Sequence, residues 1–249
     1  MKLKVEVWRQ TGQYAKGGFE AHSMDDLEPH MSVLELLDAL NERLVDSGEE
    51  PVTFESDCRE GICGACGITV DGRPHGPDEN VPSCHQRLLS FEDGATVRLE
   101  PFRSGAFPVI RDLMVDRDRL DDVIRAGGYV SINAGTAPDA DSVPVTEEVA
   151  EKSLDFAACI GCGACVAACP NGSAHLFGGA KLQHLAMLPL SSQERSRRAR
   201  TLVDELEAGF GPCSNYGECA KVCPAGIPLS AIAAVNKERL RAGFQRRLA

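Results

Sequence analysis

The spacing of apolar positions changes once along the chain. In "LKVEVWR", Leu3, Val5 and Val7 alternate with polar and charged residues, and Val97 and Leu99 do the same in "ATVRLEPF". A period of two marks strands with one buried face. Between them, "SVLELLDALNERLVDSG" carries Leu37, Leu40 and Leu44 at helical spacing. Ser32 opens this helix with Glu35 three residues on, the capping-box pattern, and Gly48 stops it. A strand pair, a helix and further strands predict a small α+β domain.

After about residue 105 the period becomes helical. "RDLMVDRDRLDDVIRA", "TEEVAEKSLDFAACIG", "SSQERSRRARTLVDELEAG" and "LSAIAAVNKERLRAG" all read as helices, with no strand expected among them. The Pro-, Asp- and Ser-rich "GTAPDADSVPV" reads as a loop within this part. The boundary is therefore placed near residue 105, giving domains 1–105 and 106–249.

Composition narrows the function. A chain of 249 residues with 43% apolar content can bury two cores. No apolar run approaches the roughly 18 residues of a membrane span. The start, "MKLKVEVWRQ", has neither an apolar signal core nor a twin-arginine pair, so the chain is expected to stay where it is made. A net charge of -11 argues against a nucleic-acid partner. Two runs have the opposite sign, "RSRRAR" and "KERLRAGFQRRLA". They read as solvated helix faces or as contacts with an anionic membrane surface or acidic partner.

The 11 cysteines fall into tight groups, which points to metal ligation in a reducing compartment rather than to disulfides. Cys58, Cys63 and Cys66 in "CREGICGACGITVDG", with Cys84 further on, have the plant-type [2Fe-2S] spacing. Gly61, Gly64 and Gly67 interleave them, as a loop wrapped round a cluster requires. Zinc favours paired C-x2-C units, which makes it the weaker reading here.

"CIGCGACVAACP" holds Cys159, Cys162, Cys165 and Cys169, the bacterial ferredoxin run. In that run the first three thiolates hold one [4Fe-4S] cluster and the fourth reaches another. "CSNYGECAKVCP" supplies the second run, so Cys223 is expected to complete the [4Fe-4S] set with Cys159, Cys162 and Cys165. That leaves Cys169, Cys213 and Cys219, with Tyr216 where a fourth thiolate belongs. Three thiolates fit a [3Fe-4S] cluster. A four-iron cluster with water, hydroxide or the Tyr216 phenolate at the odd corner, or an empty degenerate site, are the alternatives. No cysteine remains for nucleophilic catalysis. His75, His85, His175 and His184 are expected to be surface or hydrogen-bonded core residues, although each could be invoked in proton delivery.

This order of motifs resembles the iron-sulfur subunits of succinate dehydrogenase and fumarate reductase over essentially the full length. The resemblance implies an N-terminal β-grasp [2Fe-2S] ferredoxin-like domain and an all-α helical ferredoxin domain. It implies electron transfer from the FAD of a flavoprotein subunit to a quinone at a membrane anchor, with the chain peripheral on the cytoplasmic side of the cell membrane. Dicarboxylate chemistry would lie in the partner, and no catalytic residue is expected in this chain. "CPNGSAHLF" lacks the tryptophans of the ubiquinone-reducing branch, and Ser214 stands where that branch has histidine. The segment "CPNGSAHLFGGAKLQHLAMLP" is more similar to the branch with a dihaem cytochrome b anchor and menaquinone. Fumarate reduction in the reverse direction remains open. So do the iron-sulfur subunit of another flavin dehydrogenase and a zinc-stabilised module, the last separable by metal content.

Overall fold

The computed structural model describes residues 1–131 and 145–246, so nearly all of the expected "GTAPDADSVPV" loop lies outside the described residues. The chain divides into two compact units. The first comprises Met1–Arg117 with Ile160–Ala168 and Lys221–Pro224, and the second comprises the rest.

In the first unit, β1 (Leu3–Arg9), β2 (Gly18–Met24), β3 (Ile68–Val70), β4 (Arg73–Pro74) and β5 (Thr96–Pro101) form a sheet in the order β2-β1-β5-β3-β4. β1 runs antiparallel to β2 and parallel to β5, with Val5 facing Val97 across the parallel pair. Parallel neighbours need a long crossover, and α1 (Val33–Asp46) lies in it. Leu34, Leu37, Leu40 and Leu44 of α1 share one core with Val5, Val7, Ile68, Val70 and Leu99. Each such side chain contributes about 1.5–3 kcal/mol by leaving water. The capping box forms as expected: Glu35 N–H donates to Ser32 Oγ at 3.2 Å, and Ser32 N–H donates to the Glu35 carboxylate at 2.6 Å. Gly48 follows the helix with φ at 73°, in the left-handed region.

The first unit continues past residue 105. β6 (Val109–Arg111) and β7 (Met114–Val115) make a hairpin where a helix from Arg111 was expected. The cause is Asp112, buried at the turn with φ at 45°. Its carboxylate accepts the backbone N–H groups of Gln10 and Thr53, each at 2.9 Å, while Leu113 enters the core. The helix begins only at α2 (Asp118–Val123). Leu113 and Leu120 are both buried, although they lie in different elements.

The second unit is helical, with α3 (Glu147–Ala157), α5 (His175–Met187), α6 (Ser192–Gly209) and α8 (Ser230–Arg246). The short α4 (Ala164–Ala167), which belongs to the first unit, and α7 (Glu218–Lys221) lie among the cysteines. α5 is its centre, packed on α3, α6 and α8. Gly179 allows the close approach of α8, since a Cβ there would overlap the Ala231 carbonyl.

The arginine runs are not simply solvated faces. Arg195 makes a paired ion contact to Glu238, which is 1% exposed, with N–O distances of 2.5 and 2.6 Å. Arg198 is buried over the Tyr129 ring at 4.0 Å and donates to Glu194 and to the carbonyls of Gly127, Tyr129 and Ser131. These guanidiniums tie parts of the second unit together.

Candidate metal centres

The C-x4-C-x2-C loop leads into β3, and its conformation directs amides at sulfur. Gly61 and Gly64 have φ of 78° and 73°, and Arg59 is also left-handed at 55°. With the chain turned this way, the N–H groups of Glu60 and Cys63 reach Cys58 Sγ at 3.3 and 3.4 Å, and Ala65 N–H reaches Cys63 Sγ at 3.4 Å. The N–H groups of Glu60 and Ile62, more than any other cause, hold the Cys58 thiol down at about 7. Cys66 and Cys84 are buried together, and burial first, then the neighbouring thiols, push Cys66 up to about 12. Cys58 is disposed to be a thiolate, whereas Cys66 would need a cation to become one. Four sulfurs with inward amides and two buried thiols fit an iron-sulfur cluster, which brings positive iron and negative sulfide together.

His75 sits behind this loop, fully buried. Its Nδ1 accepts the Ser83 N–H at 3.2 Å and lies 3.0 Å from Ser83 Oγ, and its ring meets Phe102 edge to face. Burial, helped by the Arg117 charge, lowers it to about 3, so it is neutral. As expected, it is a core histidine.

In the first ferredoxin run, Cys162 and Cys165 are buried and belong to the first unit, as does the half-buried Cys223. Gly161 and Gly163 are left-handed at 68° and 86°, turning the chain between successive cysteines before α4 starts. Cys159 belongs to the second unit, where Lys181 Nζ donates to its carbonyl at 3.0 Å.

Cys169, Cys213 and Cys219 come together within the second unit, around a small cleft also lined by Ser173, His175 and Tyr216. Burial raises the Cys219 thiol, and the charges of Cys169 and Cys213 act in the same direction. A polar closure shapes the wall: Asn171 Nδ2 donates to Pro212 O at 2.9 Å and to Ser214 Oγ at 2.8 Å. Tyr216 lines the cleft but is 60% exposed, so its ring lies at the edge of the cleft and does not fill it. Three clustered thiols in a small cleft suit a compact cluster with one cysteine fewer. His175, expected to be a surface or hydrogen-bonded core residue, is half-buried here, with Ser173 Oγ 2.9 Å from its Nδ1, and burial lowers it. Its place in the cleft wall could not be read from its spacing in the sequence.

Two cluster-binding modules of ferredoxin type define an iron-sulfur electron carrier. The family described as "2Fe-2S iron-sulfur cluster binding domain" matches residues 4–122, and "4Fe-4S dicluster domain" matches 158–227. The chain is 31% identical to the succinate dehydrogenase iron-sulfur subunit of Bacillus subtilis, covering 84% of this chain and 82% of that one. It is 29% identical to the fumarate reductase iron-sulfur subunit of Escherichia coli, covering 92% and 90%. A chain of the Mycobacterium smegmatis Sdh1 complex in the apo form shares the fold, with a TM-score of 0.72 and 23% identity over 99% of this chain and 97% of that one. The chain belongs to the family of succinate dehydrogenase and fumarate reductase iron-sulfur subunits. Its role is electron transfer, with the [2Fe-2S], [4Fe-4S] and [3Fe-4S] cofactors of that family.

Proposed function

We propose that the chain carries electrons singly from the FAD of a flavoprotein subunit to a quinone held by a membrane anchor, in the direction of succinate oxidation. Iron-sulfur clusters, when bound, accept and release one electron at a time, which splits the pair a flavin receives. Cys58, Cys63, Cys66 and Cys84 hold the [2Fe-2S] group. By the reciprocity of the two ferredoxin runs, Cys159, Cys162, Cys165 and Cys223 hold the [4Fe-4S] group, and Cys169, Cys213 and Cys219 the [3Fe-4S] group.

The observation that carries the proposal is the trio of thiols around one cleft beside Tyr216. A family member with one cysteine fewer in its second run would need such a three-thiol site. The modules divide as residues 1–105 and 106–249 in the sequence pattern, while the first segment of the first compact unit runs to Arg117. No helix among the described residues is long and apolar enough to cross a membrane, which suits peripheral attachment through an anchor. The anchor is a cytochrome b, dihaem and menaquinone-linked, and it holds the chain on the cytoplasmic side of the cell membrane, a reading supported by the likeness of "CPNGSAHLFGGAKLQHLAMLP" to that branch.

Isolation of the complex from detergent-treated membranes tests this. A flavin-bearing chain and a haem-bearing anchor should accompany the protein, with succinate reducing quinone. Isolation with neither, or with zinc in place of iron, would contradict it. The relative named fumarate reductase supports a second reading, the reverse direction; comparing succinate oxidation with fumarate reduction in the isolated complex separates the two.

A further inference from the structure

Arg117 closes the first unit with its guanidinium spread over four acceptors. Nη1 donates to the carbonyls of Gly64 at 2.7 Å and Cys162 at 2.9 Å. Nη2 donates to the Ala65 carbonyl at 3.2 Å and to the Glu55 carboxylate at 2.9 Å. Gly64 and Ala65 lie between Cys63 and Cys66, whereas Cys162 is the second cysteine of the first ferredoxin run. One side chain thus fastens two cysteine-bearing segments together.

The backbones also meet at this place. Gly64 is left-handed at φ 73°; a Cβ there would overlap the Ile160 carbonyl and stand 3.1 Å from Cys162 N. The two segments approach backbone to backbone here. Arg117 is placed across that approach by Glu55, whose charge fixes the orientation of the fork. A lysine has the charge but not the fork of two fixed nitrogens, so its single ammonium cannot donate to three carbonyls and a carboxylate at once.

We infer that Arg117 is a positioning residue for electron transfer, fixing the gap between the Cys58–Cys66 loop and the Cys162 segment across which the electron passes. The step moves one electron: the first site is oxidised by one, the second reduced by one, and no bond or proton changes. Tunnelling falls steeply with distance and favours bonded bridges, so a contact holding two ligand segments backbone to backbone governs its rate. The inference rests on the ligand sets proposed above.

The test uses the cluster-loaded protein, reduced chemically until both sites carry an unpaired spin. Spin-relaxation enhancement of the [2Fe-2S] signal by its neighbour reports the gap independently of enzyme turnover. Arg117→Lys and Arg117→Gln should weaken that enhancement severalfold at unchanged iron per chain. Glu55→Gln, which leaves the guanidinium but removes its anion, should weaken it less. Parental enhancement in fully loaded Arg117 variants would overturn the inference. So would lower thermal stability or iron content with parental enhancement in the loaded fraction, because that pattern belongs to a merely structural contact. A parent lacking the [2Fe-2S] or the [4Fe-4S] signal would instead remove the ligand assignment on which the inference stands.

Discussion

The loop site of the first unit and the cleft site of the second hold their cysteines by different means. Around Cys58 and Cys63, left-handed turns free successive amides to point at sulfur, and this lowers the Cys58 thiol to about 7. Around Cys219, burial among helices has the largest effect and raises the thiol. Helical amides are occupied by the helix ladder beyond the first turn, so a helical unit has few to offer a ligand. An irregular loop can offer many, because glycine permits the turns. Hydrogen bonds to sulfur and exposure both tune cluster potentials. One chain therefore provides electronically distinct stations without changing the ligand type.

The largest expected effect separates the two sites. Cys63→Ser removes a thiolate from the exposed loop, and electron flow from succinate to quinone should be nearly abolished. Flavin reduction by succinate should persist, as should the spectroscopic signal of the cleft site. Unchanged electron flow would mean that Cys63 is not a ligand on the path.

A medium effect should be confined to the helical unit. Gly179→Ala drives a methyl group into the Ala231 carbonyl, so α5 and α8 must separate. Overpacking of this kind costs about 1–3 kcal/mol, and each kcal/mol lowers the melting temperature by roughly 2–4 °C in a chain of this size. Gly12→Ala, with open space around it, serves as the control and should change little. Equal melting temperatures for the two variants in calorimetry would refute the close approach of α5 and α8.

The smallest effect concerns pH and contrasts His75 with the half-buried His175. His75 is held near 3 in the fold, against an unfolded value of about 6.5. Below pH 6.5 the unfolded chain takes up a proton that the folded chain refuses. The stability contribution is therefore complete above 6.5 and is lost by up to about 1.4 kcal/mol per pH unit on the way down to about 3. His75→Gln should flatten the decline between pH 6.5 and 5, whereas His175→Gln should flatten it less. Denaturant midpoints across that range measure it, and an identical slope in parent and His75→Gln would contradict the assignment.

Much of this was legible in the chain. The α1 helix could be read because the capping box, the leucine stripe and Gly48 agree. All 11 cysteines stood out because cluster ligation imposes fixed spacings. The β6–β7 hairpin was not legible, since Asp112 acts through the distant amides of Gln10 and Thr53, which no local pattern records. Nor was α5, whose buried Leu176, Phe177, Ala180, Leu182 and Leu185 leave no polar stripe to betray a helical period, and whose two central glycines weaken helix propensity. Arg117 gave no signal at all, because its partners lie in three separate segments.

The account turns on Tyr216 standing at a vacant ligand position, and electron paramagnetic resonance of the oxidised protein tests it most directly. The parent should display the signal of an oxidised three-iron cluster. Tyr216→Cys completes the C-x2-C-x2-C-x3-C-P run at the border of an open cleft, so with iron and reductant the site should assemble as [4Fe-4S] and the signal should vanish. A parent without that signal, or a variant that keeps it at full strength, would contradict the account.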